Sequence, residues 1–303
     1  MTEKPLNNSP TTAVINLNQS PPRPAKNRTL KRFLKHRIAI VAVILLGLIS
    51  LISLSAPIFA RYEYDAIDLR AGGESPSSAH WLGTDRVGRD IWSRTLYGGR
   101  VSLAVGVGAT VIATVIGTIL GAISGFYRGW VDNVIMRITD TVMTFPSIVI
   151  MLTLAALLPR SLLNIVLIIG GLSWPSVARL VRAQFMSIRE SEFVLAARCL
   201  GVRDRRIIIN HILPNVFAPL VALITFSVGS AILTEAGLSF LGLGVPPPTP
   251  SWGNMLESAR NLNILQTLPW MWIPPAVMTV LTVLCVNFIG DGIRDAIDPR
   301  LVI

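Results

Sequence analysis

Lysine is missing from almost all of this 303-residue chain. The four that occur, Lys4, Lys26, Lys31 and Lys35, all fall within the first 35 positions. A phosphate-binding P-loop needs a lysine directly after its glycines, so beyond Lys35 the sequence has no such motif, and the chain is not a nucleotide-driven pump by itself. Cysteine is almost as scarce. Cys199 and Cys285, both in or near apolar runs, cannot build a disulfide framework. The three histidines, His36, His80 and His211, lie in separate segments with no Cys or carboxylate at ligand spacing, so no metal site is predicted. No nucleophile–base pair stands out, and no catalytic residue is assigned. Charge is sparse as well, at 15% of residues against about 25% in soluble domains.

Apolar residues take up the room. They make 51% of the chain, and the mean hydropathy is +0.59. Such a sequence does not stay disordered. The formal charge of +10 does not point to a nucleic-acid partner, because that role needs basic residues spread over a polar surface. The combination predicts a multi-spanning membrane protein whose partner is the lipid bilayer.

The chain divides accordingly. Residues 1–37 form a polar, then basic tail, disordered over 1–28. An apolar run over 38–60 is long enough to cross a bilayer, and too long and too far from the N-terminus for a cleaved leader. Residues 61–100 make a polar external segment with six acids and six arginines. A core of five further spans covers 101–291, with apolar runs at 101–126, 134–158, 163–181, 216–233 and 271–289. Residues 292–303 close the chain. The fold class is therefore all-α and polytopic, with six transmembrane helices. The fifth span is expected to end broken or re-entrant, because Gly237, Gly242, Gly244 and Pro246–Pro248 follow it. Pro274-Pro275 suits a helix start for the sixth. With the tail inside, 19 of the 27 basic residues fall on the cytoplasmic side, counting the adjoining span ends. The outer pieces hold eight, balanced by eight acids. By the positive-inside rule both termini are cytoplasmic.

Three features inside the spans carry possible function. Ala109, Ala113, Gly117, Gly121 and Gly125 recur every four residues and make a small-residue stripe on which another helix can pack closely. Arg137 and Asp140, three apart at the cytoplasmic end of the third span, are expected to neutralise each other on one helical face; the alternative is a gate contact between subunits. Glu235 adjoins the outer end of the fifth span. A structural or path-lining role is favoured there over a proton relay. Trp252 and the prolines from 246 to 250 lie in the last outer loop, either as an interfacial belt or as a surface for an external partner.

The segment 182–215 is the longest cytoplasmic feature after the tail. Ser191 is placed to cap a short helix from Glu192, with Phe193, Ala196, Ala197 and Leu200 on one apolar face and Gly201 as its C-cap. No span is expected to bury that face, which leaves a lipid surface or a partner groove. Arg203, Arg205 and Arg206 follow.

Here the sequence resembles a known family. Ala196-Ala197-x-x-x-Gly201, followed after nine residues by His211-Ile-Leu-Pro214, is similar to the cytoplasmic loop of permease subunits in binding-protein-dependent ABC importers. Leu195 stands where that motif has Glu, and Glu192 offers a carboxylate one turn earlier. Further matches are His80-Trp-Leu-Gly-Thr-Asp85-x-x-Gly88-Arg-Asp90-Ile-x-Ser-Arg94 with Gly99-Arg-x-Ser-Leu103, Arg137-x-x-Asp140 with Phe145-Pro146, Leu238-Ser-Phe-Leu-Gly-Leu-Gly244, Pro250-x-Trp-Gly253 and Gly290-Asp-Gly-x-Arg-Asp-Ala-x-Asp-Pro299. These look like the second permease subunit of the dipeptide, oligopeptide and nickel importers, and they cover nearly everything from Trp81 onward.

The resemblance implies a type I ABC importer permease fold in the cell membrane and passage of di- or oligopeptides. Its implied partners are a second homologous permease, two ABC ATPase subunits and an extracytoplasmic substrate-binding protein. No cofactor is bound by this chain; ATP and magnesium belong to the partners. The loop residues Glu192, Leu195, Ala196, Ala197, Gly201, His211 and Pro214 become the ATPase-coupling element, and a charge at Ala197 is expected to uncouple transport. Nickel, glutathione or antimicrobial peptide are rival cargoes for the same machinery. A proton-driven secondary transporter is the rival of another class, disfavoured because neither an internal repeat nor several intramembrane charges are seen.

Overall fold

The computed structural model describes residues 32–297. Most of the expected tail, including three of the four lysines, lies outside that range, as do the last residues of the C-terminal motif.

Apolar runs fold as helices because hydrocarbon gives backbone N–H and C=O groups no partner outside the segment. Apart from a single turn at Ala56–Phe59, the α-helices are α1 (Arg37–Leu54), α2 (Ile91–Tyr127), α3 (Gly129–Thr144), α4 (Ser147–Leu157), α5 (Leu162–Ile188), α6 (Glu192–Cys199), α7 (Asp204–Phe240), α8 (Trp252–Leu256), α9 (Leu262–Thr267) and α10 (Ile273–Ile297). Five of them are long and apolar enough to cross a membrane. The pair α3 and α4, bent by 80°, makes a sixth span if taken together. Among the described residues there is no strand, only one isolated bridge between Thr84 and Asp90.

The boundaries shift by several residues in most spans, and three differences bear on the site. The second span begins at Ile91 rather than near 101. Its polar first turns hide it from a hydropathy scan, but Asp90 caps it by accepting from the Ser93 N–H at 2.8 Å. At 37 residues α2 is about 55 Å long, well beyond a hydrocarbon core of about 30 Å. The second difference lies in the third span, which breaks at Phe145-Pro146. A residue before proline is pushed out of the α region, and Phe145 is extended at φ −84°, ψ 140°. The third concerns α7, which runs unbroken past Gly237 to Phe240, so the expected break after the fifth span is absent. At its start one π-turn, Ile208–Ile212, precedes Pro214, whose ring and missing N–H disturb a regular ladder.

The small-residue stripe does face another helix, and that helix is internal. A Cβ on Gly117 would stand 2.5 Å from the Val177 Cβ, on Gly121 2.5 Å from the Ala178 carbonyl oxygen, and on Gly125 2.6 Å from the Phe185 Cβ. From α5, Gly170 answers by approaching the Ala109 carbonyl at 2.7 Å in the same measure. So α2 and α5 touch backbone to backbone. The opposite face of α2 carries Val107, Val111, Val115 and Ile119, each more than half exposed. In water that stripe would be an aggregation surface; against lipid or a second apolar subunit it is ordinary.

At one end of the bundle, residues 55–90 and 241–272 build a polar cap. Asp85 accepts from the N–H groups of Val87 and Arg89 at 3.0 Å and from the Arg89 Nε at 2.6 Å. Gly88, at φ +83°, lies against the Asp68 carbonyl, where any Cβ would overlap it. His80 pairs with Asp90 at 2.9 Å and stacks on Tyr62. The long motif around His80–Arg94 is thus the cap that starts α2.

Gly121→Ala should lower the stability of the detergent-solubilised chain by about 1–3 kcal/mol, the usual range for overpacking. Gly171→Ala, where nothing lies within 4 Å, should be neutral or mildly stabilising. Thermal unfolding followed by size-exclusion chromatography separates the two; equal behaviour contradicts the packing described here.

Candidate translocation chamber and docking helix

The break at Phe145-Pro146 opens a cavity of about 410 Å3 between α2, α3–α4, α5 and α7. Its polar wall is made of hydroxyls: Thr110, Ser147, Ser173, Ser176, Ser227, Ser230 and Thr234. Ala109, Ala113, Phe145, Met151 and Ile169 supply apolar surface. Among the described residues none that lines it is charged. The Thr110 hydroxyl is buried beside it and has no hydrogen-bond partner. Such a wall offers weak, interchangeable hydrogen bonds, which suits conduction better than tight capture. Sequence reading did not find this chamber. Its signal was present in the spacing of Ser227, Ser230 and Thr234 along one face of α7.

Glu235 lies next to this region but does not line the chamber. It is fully buried. Its carboxylate accepts from Ser239 and Ser251 at 2.7 Å and from Ser102 at 3.2 Å. Ser102 in turn accepts from the Trp252 N–H at 3.1 Å. The knot ties α2, α7 and α8 together. Trp252, read as a surface candidate, is also completely buried. It packs on Gly98 and Gly99 and donates its indole N–H to the Thr95 carbonyl at 2.9 Å. Those two glycines make the room, which is why neither an interfacial belt nor a partner surface describes this tryptophan.

At the other end of the bundle sits α6. Val194 and Ala197 are buried among Ala122, Phe126, Phe185, Ile207 and Ile212. This corrects the expectation that no span covers the helix. Ala197 faces inward; the outward face is Phe193, Ala196 and Leu200, with Leu200 83% exposed. Leu195, in the place of the motif's acid, is half-exposed, and Glu192 is exposed in the first turn, where its charge suits the helix N-terminus. Ser191 holds the cap position, but its hydroxyl donates to the Ile188 carbonyl at 2.6 Å instead of capping. Gly201 ends the helix at φ +72°, as its C-cap role requires. His211 lies in the π-turn, with its ring 3.3 Å from the Arg206 carbonyl oxygen.

Ionic contacts hold this end. Arg182 grips Asp132 with two hydrogen bonds of 2.6 Å, and Ser124 donates to the same carboxylate. Arg128 reaches Glu190 at 2.6 Å. The guanidiniums of Arg189 and Arg198 lie over the Phe126 ring at 5.8 and 5.1 Å. Burial, followed by the nearby charges of Arg198 and Arg128, pushes the Arg189 guanidinium down from its ordinary value. The expected pair of Arg137 with Asp140 does not form. Asp140 bonds Arg179 of α5 at 2.6 Å, while Arg137 is exposed without an ion pair among the described residues. Neighbouring helices, α3 and α5, bring an acid and a base closer here than one turn of a single helix does.

Comparison with known proteins now places the chain. Residues 117–303 match the family described as binding-protein-dependent transport system inner membrane component, and the chain belongs to it. It is thus a multi-pass membrane permease subunit of an importer. Residues 27–76 further match the N-terminal transmembrane domain of oligopeptide transport permease C. The chain is 46% identical over 273 residues, 90% of each chain, to a Brucella suis protein that carries a provisional peptide permease name. It is 41% identical over 270 residues to the oligopeptide transport system permease protein OppC of Bacillus subtilis, covering 89% of this chain and 88% of the relative. Over 276 residues it is 41% identical to the glutathione transport system permease protein GsiD of Pectobacterium atrosepticum, covering 89% and 90%.

The buried knot predicts how Glu235 responds to substitution. Gln can accept from Ser239 and Ser251 and donate to Ser102, so Glu235→Gln should fold and should leave the pH profile of uptake unchanged. Glu235→Leu orphans three buried hydroxyls, at about 1–3 kcal/mol each, and should lower the amount of folded protein in the membrane. A pH profile altered by the Gln variant would instead indicate a proton-carrying role.

Proposed function

We propose that this chain forms half of the path by which an ATP-driven importer passes di- and oligopeptides into the cytoplasm. The observation that carries this reading is the uncharged, hydroxyl-lined chamber at the break in the third span. A peptide presents backbone amides whatever its side chains, and hydroxyls can pair with either end of an amide. The relatives named for oligopeptide transport support the cargo class, and the glutathione relative supports the breadth of that class, glutathione being itself a short peptide.

A second homologous permease faces the chamber, and two ABC ATPase subunits bind at the α6 end. ATP and magnesium are used there, not on this chain, in keeping with the missing lysine. An extracytoplasmic binding protein delivers cargo at the capped end, and both termini are cytoplasmic. The coupling element is α6 together with Gly201, His211 and Pro214. Its docking face is Phe193, Ala196 and Leu200. Because Val194 and Ala197 are packed into the span ends and Phe126 carries two arginines above it, a push on α6 moves α2, α5 and α7 together. Closure of the ATPases would rock the spans about the chamber.

Leu200→Asp should therefore leave the chain inserted and folded, yet cut peptide-dependent ATP hydrolysis and uptake by tenfold or more, about 1.4 kcal/mol of lost coupling. Ala197→Asp, which buries a charge, should instead lose folded protein. The check is co-purification of the ATPase pair in detergent, followed by transport in proteoliposomes. If Leu200→Asp retains both the ATPases and normal uptake, α6 is not the docking element.

A further inference from the structure

A second cavity, of about 780 Å3, lies at the capped end. Five arginines line it, namely Arg86, Arg89, Arg94, Arg160 and Arg260, and Glu257 is the one acid among its described lining residues. Among the described residues, two carboxylates lie within 4 Å of those five guanidiniums. Asp85 holds Arg89 at 2.6 Å and reaches Arg94 at 4.0 Å, and Glu257 stands 3.7 Å from Arg260. Arg86 from the cap and Arg160 from the turn between α4 and α5 have no side-chain hydrogen bond or ion pair among the described residues. The cavity thus has unspent positive charge and unspent N–H donors.

Its position matters as much as its charge. One helix, α7, lines both cavities: Ser230 and Thr234 border the chamber, and Ser239, its hydroxyl held by Glu235, borders the arginine cavity. Thr234 and Ser239 are five residues apart, about 7.5 Å along the axis. On the other side α4 gives Met151 to the chamber, and the turn after it gives Arg160 to the arginine cavity. The two spaces therefore follow one another along the bundle, the charged one first from the capped end. A linear peptide with a free C-terminus carries a terminal carboxylate. Among the described residues that line the chamber there is no cation to receive it, and a bare carboxylate is costly to place in a poorly hydrated site. Arginine forks match a carboxylate in geometry and charge, and a concave basic surface concentrates anions before it.

We propose that the arginine cavity is a vestibule that binds the C-terminal carboxylate of the peptide before it enters the chamber, with Arg86 and Arg160 as the free ligands. This rests on the peptide reading above. Arg89, Arg94 and Arg260, already held by acids, shape the wall. Peptides with an additional acidic side chain gain a second contact there, and peptides with a basic side chain are disfavoured.

The test uses the whole importer in proteoliposomes, with its ATPases and binding protein. Uptake of labelled trialanine is measured for the double variants Arg86→Gln/Arg160→Gln and Arg86→Lys/Arg160→Lys, alongside binding-protein capture and ATP hydrolysis. The Gln pair should slow trialanine uptake about tenfold, and the Lys pair should restore most of it. Capture and hydrolysis should not change, and the preference for Ala-Glu over Ala-Lys should fall. Unchanged uptake overturns the proposal, and so does a loss that lysine does not restore. Capture that weakens in step with uptake also overturns it, because the arginines then serve an acidic surface of the binding protein. If the wild-type importer carries no trialanine, the peptide reading itself fails, whatever the arginines do.

Discussion

The close approach of α2 and α5 is the constraint on which the rest of this molecule depends. Lipid supplies no hydrophobic drive for helices to associate, so packing has to do the work. Glycines at 117, 121 and 125 let the two backbones touch along one half of the bundle, and Gly170 continues the contact at Ala109. With that pair fixed, α3–α4 and α7 have defined positions around it, and the chamber is the space they leave. Because α2 runs from the cap through the bundle to Phe126, it also gives both ends a common frame.

Polar contacts pin the ends of that frame. At one end the Glu235 carboxylate gathers hydroxyls from α2, α7 and the segment leading into α8. At the other, Arg182 of α5 holds Asp132 of α3, and Ser124 of α2 donates to the same carboxylate across the sharp turn at Arg128, which adopts a positive φ of 56°. Breaking a buried ionic or hydrogen-bonded group costs more than the intact group contributes. Such pins therefore act mainly to forbid alternative arrangements of helices that are otherwise interchangeably apolar. Hydropathy alone would tolerate many rotations of α7; a carboxylate that needs three hydroxyls tolerates very few.

Much of this was readable beforehand, and the failures have physical causes. Span number, the stripe from Ala109 to Gly125 and the short helix from Glu192 to Gly201 follow from apolar length, small-residue spacing and capping residues, all of them local. Arg137 with Asp140 misled because one-turn spacing is only one way to neutralise a charge, and Arg179 on a neighbouring helix is a nearer partner. Ala197 was placed on the wrong side because the exit angles of α5 and α7 decide which face of α6 is covered, and those angles are tertiary. Trp252 was taken for a surface residue because nothing in its own segment reveals that Gly98 and Gly99, more than 150 positions earlier, leave a slot for it. The chamber stayed hidden for a related reason. A serine or threonine in a span usually satisfies itself on its own helix, as Ser173 does with the Ile169 carbonyl, so hydroxyls alone do not announce a path.

The break at Phe145-Pro146 has a consequence for how exacting this protein can be. A helix end leaves main-chain carbonyls and N–H groups without intrahelical partners, and here two ends meet beside the chamber. Part of the local polarity is therefore backbone, which mutation of side chains alters little. The chamber, built from main chain and hydroxyls, has no charge with which to sort side chains, and any such sorting falls to the arginine cavity before it. The chamber itself is a turnstile rather than a lock.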